Sequence, residues 1–381
     1  MQRILQHFSR ALRLLLLVSG TLTEREQRVG LSGSVFGFDL AALGVTPEPI
    51  GGSFTLNASA SAAGKGAYAA RIALDSIEIR NRHRTDRIRP TSVSLLTDSA
   101  ATRAEAVSGD LSLTFSTPQS ADSLIASLTR SARTLAGQID TQSVDMEQLK
   151  PALPDFALRV SAGPDNILNS LLKSRKIAFD KLNAEGMSCD SQPVSVRLRT
   201  EGLTYGNVVL DTVTADIRQN GKRLEYVLGL ANAPGNLDNI ARTGLYGHLV
   251  RNTGQVNLYQ RNRAGREGFR FGLDVTWTDS LIRASVTPSD PLFGFEPWTV
   301  NPGNYLIYRF DKRVEADLDM THGDQRFAIR TPPGGGASDD AGSNDNDITG
   351  LIHLCHLPEI LDKMYRFHRH PWGPDAQATG Q

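Results

Sequence analysis

Little in this sequence announces reactive chemistry. Lys+Arg and Asp+Glu number 41 each, so the formal net charge is zero. That argues against a general nucleic-acid binder, which carries a basic excess, but leaves room for charge on one face. Only two cysteines occur, Cys189 and Cys355. They lie far apart in no motif, and two unpaired thiols is a simpler reading than one disulfide. There is no GxGxxG after a strand, no GxxxxGK[ST], no GxSxG and no HExxH. The nearest calcium-loop match, from Asp345-Asn346-Asp347, has His356 where the twelfth position needs Glu. Trp is scarce, at three residues, which leaves few aromatic platforms for a carbohydrate-active enzyme on a β-sandwich.

Long apolar runs are missing too. Near the N-terminus, Arg3, Arg10 and Arg13 precede Leu14-Leu15-Leu16-Leu17-Val18 and then Ser19-Gly20, the order of an export signal. The unbroken run is shorter than the ~7 residues such a region needs and far below the ~18 that span a bilayer. Residues 1–20 are therefore expected to form an amphipathic helix, with Ile4, Leu5, Phe8, Leu12 and Leu15 near one face, or else a truncated signal- or anchor-like segment.

What is present is a period of two. Asp110 to Ser116, Phe156 to Val160, Val194 to Thr200, Val213 to Arg218, Leu224 to Leu230, Val256 to Tyr259 and Phe269 to Thr278 all alternate apolar with polar. Side chains along a strand point to opposite faces in turn, so each segment has one apolar and one polar face. Ser, Thr, Asp, Arg and Asn fill the second face, as in an antiparallel sheet wet on one side. Asn220-Gly221 marks a hairpin. Gly265–Gly268, Thr287–Pro291 and Asn301–Asn304 mark further breaks. The fold class expected is mainly β with a few helices: an elongated antiparallel meander sheet over 21–330, curled into an apolar-lined groove.

Helices are expected near 118–140, capped by Ser120 or Asp122, and near 165–176. The Gly-, Ser-, Asn- and Asp-rich stretch 331–347 reads as a flexible linker, and 348–381 as a poorly ordered tail. That tail holds His353, Cys355, His356, His368 and His370, but one-residue spacings are not those of a zinc site, so no metal or cofactor is expected. Asp110, Asp211, Asp216, Asp274, Asp317 and Asp319 read as the solvated side of strands, with no acid/base pair among them. The basic run Arg80, Arg82, His83, Arg84, Arg87 and Arg89 reads as a solvated loop between strands. A sharper reading of that run is contact with anionic headgroups, worth ~1 kcal/mol per Lys or Arg near such a surface.

The stretch from Trp298-Thr299-Val300-Asn301-Pro302-Gly303-Asn304-Tyr305 through Leu318 resembles the TamB-like translocation and assembly module proteins, in the AsmA-like/TamB group. Leu158–Gly163 and Val208–Val213 follow the same family's spacing, and the resemblance covers about residues 70 to 330. It implies a periplasmic envelope protein whose full-length relatives are anchored in the inner membrane. Those relatives move phospholipid toward the outer membrane or assemble proteins into it, with no catalytic or cofactor residues. Family chains are far longer, so this one reads as a fragment or truncated, divergent member.

The apolar strand faces are thus the one candidate site. The residues expected to line the groove are Leu111, Leu113, Phe115, Val194, Val196, Leu198, Leu228, Leu230, Phe269, Phe271, Leu273, Val275 and Trp277, with phospholipid or another apolar cargo as ligand and an outer-membrane assembly protein as partner. Each of them would serve equally as plain sheet core. The alternative function is a structural or protein-binding scaffold that adds strands at its sheet edges.

Overall fold

A computed structural model describes residues 2–331, apart from 9–11, 24–25, 45–48, 64–65, 82–84, 174, 233–240 and 288–290. The linker, the tail and its His/Cys cluster lie outside the described residues, as do Arg82, His83 and Arg84 of the basic run.

The alternating segments all become strands of a single sheet. It opens with β1 (Gln2–Phe8), β2 (Leu12–Leu22), β3 (Glu26–Asp39), β4 (Gly51–Ala63), β5 (Tyr68–Arg80), β6 (Thr85–Ile88), β7 (Thr91–Thr97), β8 (Thr102–Ser108) and β9 (Leu111–Thr117). Helices α1 (Ala121–Asp140) and α2 (Met146–Ala152) follow, then β10 (Phe156–Ala162) and α3 (Ile167–Lys173). The meander resumes with β11 (Ile177–Ala178), β12 (Lys181–Cys189), β13 (Gln192–Tyr205), β14 (Val208–Asn220), β15 (Arg223–Asn232), β16 (Arg242–Val250), β17 (Thr253–Arg261) and β18 (Glu267–Trp277). It ends with β19 (Leu281–Val286), β20 (Leu292–Phe293), β21 (Glu296–Pro297), β22 (Thr299–Val300), β23 (Tyr305–Arg309), β24 (Val314–His322) and β25 (Gln325–Arg330). Every described strand pairing is antiparallel and joins near neighbours in sequence, an isolated bridge between Val144 and Arg251 apart, and none joins β1 to β25, so the described sheet is open.

The expected N-terminal helix is not formed. Residues 2–8 and 12–22 are a β-hairpin, with Gln2 opposite Ser19 and Phe8 opposite Arg13. A competing period explains the difference: Leu12, Leu14, Leu16 and Val18 recur every second residue, and the register of β2 on β3 places them on one face. The hairpin expected at Asn220-Gly221 is present one position on, with Asn220 opposite Arg223 and Gly221 at φ +59°. A positive φ at that turn position suits glycine.

Both expected helices form, α1 with Ser120 as its cap, the Ser120 hydroxyl accepting from Ser123 N at 3.3 Å. The short α2, capped by Asp145, carries too few apolar residues to register as a period.

Among the described residues, fully buried apolar side chains are few. Ile77 and Ile88 stand opposite each other on β5 and β6, Phe179 meets Asn169 of α3, and Met146 and Ala152 lie on α2. The broad middle of the sheet is half-buried instead.

Candidate functional site

Directly opposed residues in an antiparallel pair share a face, so the pairings can be followed across the sheet. One row runs Val18, Leu31, Ala58, Ile72, Val93, Ala106, Leu113 and Val160. It continues through Ala184, Leu198, Ala215, Leu228, Leu245, Leu258 and Phe271 without a polar residue. The next row on that face includes Ala70, Leu95, Ala104, Phe115, Leu158, Gly186, Val196, Ile217, Tyr226, Gly247, Val256 and Leu273. From β2 to β18 the first row crosses about fourteen strand spacings of ~4.8 Å, roughly 65 Å along the sheet.

All thirteen residues expected from the sequence lie on this face. Leu113, Leu198, Leu228 and Phe271 fall in the first row, and Phe115, Val196 and Leu273 in the second. Leu111, Val194, Leu230, Phe269, Val275 and Trp277 keep the same parity to either side. None is fully buried, and Val196 and Leu230 are exposed. Phe269 and Phe271 differ from the rest, because Phe293 packs on both with ring centroids 5.3 and 5.9 Å away. Phe293 thus covers part of these two half-buried rings. The sequence pattern missed Ala104, Ala106, Ala184, Ala215, Gly186 and Gly247, since small residues do not stand out as an apolar period. They complete the rows all the same.

Tyr226 is the one side chain in these two rows with a polar end. Its hydroxyl donates to Gln255 O at 2.9 Å, and burial pushes its pKa up. Gly247 makes room for it: a Cβ there would lie 1.8 Å from Gln255 O and 2.8 Å from the Tyr226 hydroxyl.

The opposite face is mainly polar, although it exposes Leu96, Val107, Val227 and Tyr246, and it carries a ladder of alternating charge. Arg159, Glu185, Arg197 and Asp216 stand opposite one another on β10, β12, β13 and β14. Ion pairs of 3.3 Å (Arg159–Glu185) and 3.5 Å (Arg197–Asp216) join them. Exposed pairs of this kind stabilise little.

Polar contacts fix the helices at the strand ends on the apolar side. Thr97, Thr102 and Thr117, which share that face, are buried where α1 begins. Thr97 Oγ1 accepts from Ala121 N at 3.0 Å, and Thr102 Oγ1 donates to Gln119 O at 2.8 Å. Beyond the far end of α1, Gln142 O accepts from Trp277 Nε1, also on the apolar face, and from Asn252 Nδ2 at 3.2 Å. Returning along the hairpin turns, α2 places Asp145 by Arg251, Glu147 by Lys222, and Lys150 Nζ 2.6 Å from Cys189 O. At the other strand ends, Ser108 Oγ accepts from Ile167 N at 3.1 Å, seating the start of α3.

From Ala121 to Gln142 the chain advances roughly 32 Å at helical rise. The path through the sheet from Thr97 to Trp277 crosses about ten strand spacings, roughly 48 Å. With the side chains of Thr97 and Trp277 and their hydrogen bonds added at its two ends, the α1 segment spans the same breadth of sheet.

Asp110, expected on a strand, sits instead in the turn between β8 and β9, because Gly109 at φ +58° takes the preceding turn position. Partial burial raises the Asp110 pKa, but hydrogen bonds from Asn166 Nδ2 at 2.6 Å and Asp165 N at 2.9 Å outweigh it and hold it below the ordinary value. Asp216 pairs with Arg218, Asp317 with Arg330, and Asp319 with Arg326 and Arg330. Of the basic run, Arg87 lies in β6 rather than a loop, and Arg89 pairs with Asp165 at 2.6 Å. Among the described residues no group of His, Cys, Asp and Glu is placed to hold a metal.

The Trp298–Leu318 stretch spans β22 to β24, and its asparagines mend the ladder where strands break. Asn304 Oδ1 accepts from Val286 N at 2.7 Å, and Asn301 Oδ1 from Asp319 N at 2.8 Å. Comparison with family models, curated proteins and solved structures returns no match.

Proposed function

We propose that this chain is a non-enzymatic module of the cell envelope that carries apolar cargo, phospholipid acyl chains above all, along the apolar face of its sheet. In this reading it acts as the TamB-like proteins do, helping to move phospholipid to the outer membrane or to assemble proteins into it. The observation that carries the reading is the continuous row from Val18 to Phe271, apolar throughout and without a fully buried member. Transfer of each methylene from water onto such a face gains about 0.8 kcal/mol. An acyl chain is therefore held without specific polar contacts and slides without breaking any.

The test is native mass spectrometry and lipid extraction of the purified chain, beside the double variant Leu113→Gln/Leu228→Gln. Co-purifying phospholipid that falls about tenfold in the variant, or about 1.4 kcal/mol of binding, is the expected result. Wild-type protein free of lipid would sink the proposal. A scaffold reading draws support from β25, whose residues are mostly exposed and which pairs with β24 alone among the described strands. It predicts capture of an extended peptide by lipid-free protein.

A further inference from the structure

Helix α1 has two distinct stripes. Ser127, Ser131 and Gln138 are buried and bind α2: Ser131 Oγ donates to Ala152 O at 2.7 Å, and Gln138 Nε2 to Asp145 O at 2.8 Å. Ile125, Leu128, Leu135 and Ile139 recur at the three- and four-residue spacing of one helix face, yet they are 62%, 50%, 42% and 69% exposed. A helix of globular protein ordinarily buries its apolar stripe; here a polar one is buried instead.

The direction of the exposed stripe follows from handedness. Let the apolar face point at the observer, with the α1 end of the strands lowest. Ser108 lies on that face and pairs with Leu111 across a two-residue turn, so for L-residues β9 lies to the right of β8, and β18 farther right. Helix α1 therefore runs left to right, with α2 below it against the hairpin turns. Advancing along a right-handed helix, the apolar stripe comes about 100° after the α2-facing one. From below, that rotation turns it toward the sheet and the strand centres.

We infer that α1 is a second wall of the track: its apolar stripe faces the uncovered rows, and a lipid acyl chain occupies the space between them. This rests on the proposed function. The two named rows carry no charged residue across their whole length, and Tyr226, the one polar group, is already satisfied. A polar peptide would find no partner there, whereas a hydrocarbon chain requires none. Arg130 stands on the opposite side of α1, directed away from the track.

The test places a photo-crosslinking benzoylphenylalanine at Leu128, Leu135, Leu228 or Arg130 of the full chain, which is then illuminated with vesicles of phosphatidylethanolamine and phosphatidylglycerol. The helix positions are exposed, and circular dichroism checks that each variant keeps its sheet. Lipid adducts at Leu128, Leu135 and Leu228, with none above background at Arg130, are expected. An adduct at Leu228 alone would overturn the wall while leaving the proposed function standing. Adducts at no position would overturn both. A crosslink from Leu128 to a second copy of the chain would make the stripe a self-association face and overturn the inference.

Discussion

The indole Nε1 of Trp277 donates a hydrogen bond to the carbonyl oxygen of Gln142, joining residues 135 positions apart. It pins the end of the α1 segment to β18, so the helix reaches over the strands between. Trp277→Phe keeps an aromatic ring and removes the donor. A stability loss of about 1 kcal/mol is expected, and in hydrogen exchange residues 120–153 open faster while β12–β15 keep their protection. Uniform acceleration across the sheet would show that the contact anchors nothing.

Gly247 sits where a side chain would meet both Gln255 O and the Tyr226 hydroxyl. Gly247→Ala is expected to destabilise by about 2 kcal/mol, through a displaced backbone and a buried hydroxyl without its partner. Tyr226→Phe should cost only about 1 kcal/mol, and in the double variant the two losses should fall short of adding. Urea titration of the four proteins reads this directly; strict additivity would mean that the two positions act independently.

Acid should loosen the α3 end of the sheet. The Asp110 pKa is lowered because bonds from Asn166 and the Asp165 N–H outweigh the effect of burial, and that of Asp319 chiefly by the Arg326 guanidinium. A carboxylate with a lowered folded pKa contributes stability that is present above its unfolded value, near 4, and is lost as pH falls through the folded value. The urea midpoint should be flat from pH 5 to 8 and drop below about pH 4, less steeply in Asp110→Asn. An equal acid slope in that variant would remove Asp110 from the account.

Lys150 reaches across to Cys189 O and Ser188 Oγ, at 2.6 and 3.1 Å. Lys150→Met keeps the stem and deletes the donors. The expected cost is about 1–2 kcal/mol, since a hydrogen bond from a charged group is lost at a partly buried site. Limited proteolysis should then cut first within 141–155; first cleavage elsewhere would count against this role.

How much of this was legible in the sequence depends on side-chain size. Leu113, Leu198, Leu228 and Leu273 announce a strand face because large apolar residues alternate with Ser, Thr and Arg. In β4 and β8 the same face is built from Ala58, Ala60, Ala104 and Ala106, whose hydrophobicity is too slight to mark a period. Residues 1–20 misled for the opposite reason: five consecutive apolar residues fit a helix and a strand equally well, and only pairing with β3 decides between them. The buried stripe of α1 could not be read at all, because Ser127, Ser131 and Gln138 look like a solvated face until Ala152 and Asp145 are placed against them. The asparagines of the Trp298–Leu318 stretch read as turn residues, and their repair of the broken ladder depends on Val286 and Asp319, neither a neighbour in sequence.

The mostly sequential pairing of this meander also governs how the chain reaches its native state. Each hairpin closes on the one before it, so ordering entropy is spent in small local steps and stability accumulates as a sum of nearest-neighbour terms, as in repeat proteins. Rapid assembly is the expected kinetics for such low contact order. The long reaches from the α1–α2 segment to later strands, Trp277 to Gln142 and Arg251 to Val144 among them, are exceptions, and they can form only after those strands are in place. The slowest folding phase should therefore be the docking of the α1–α2 segment, leaving for a time a complete sheet with its helices undocked.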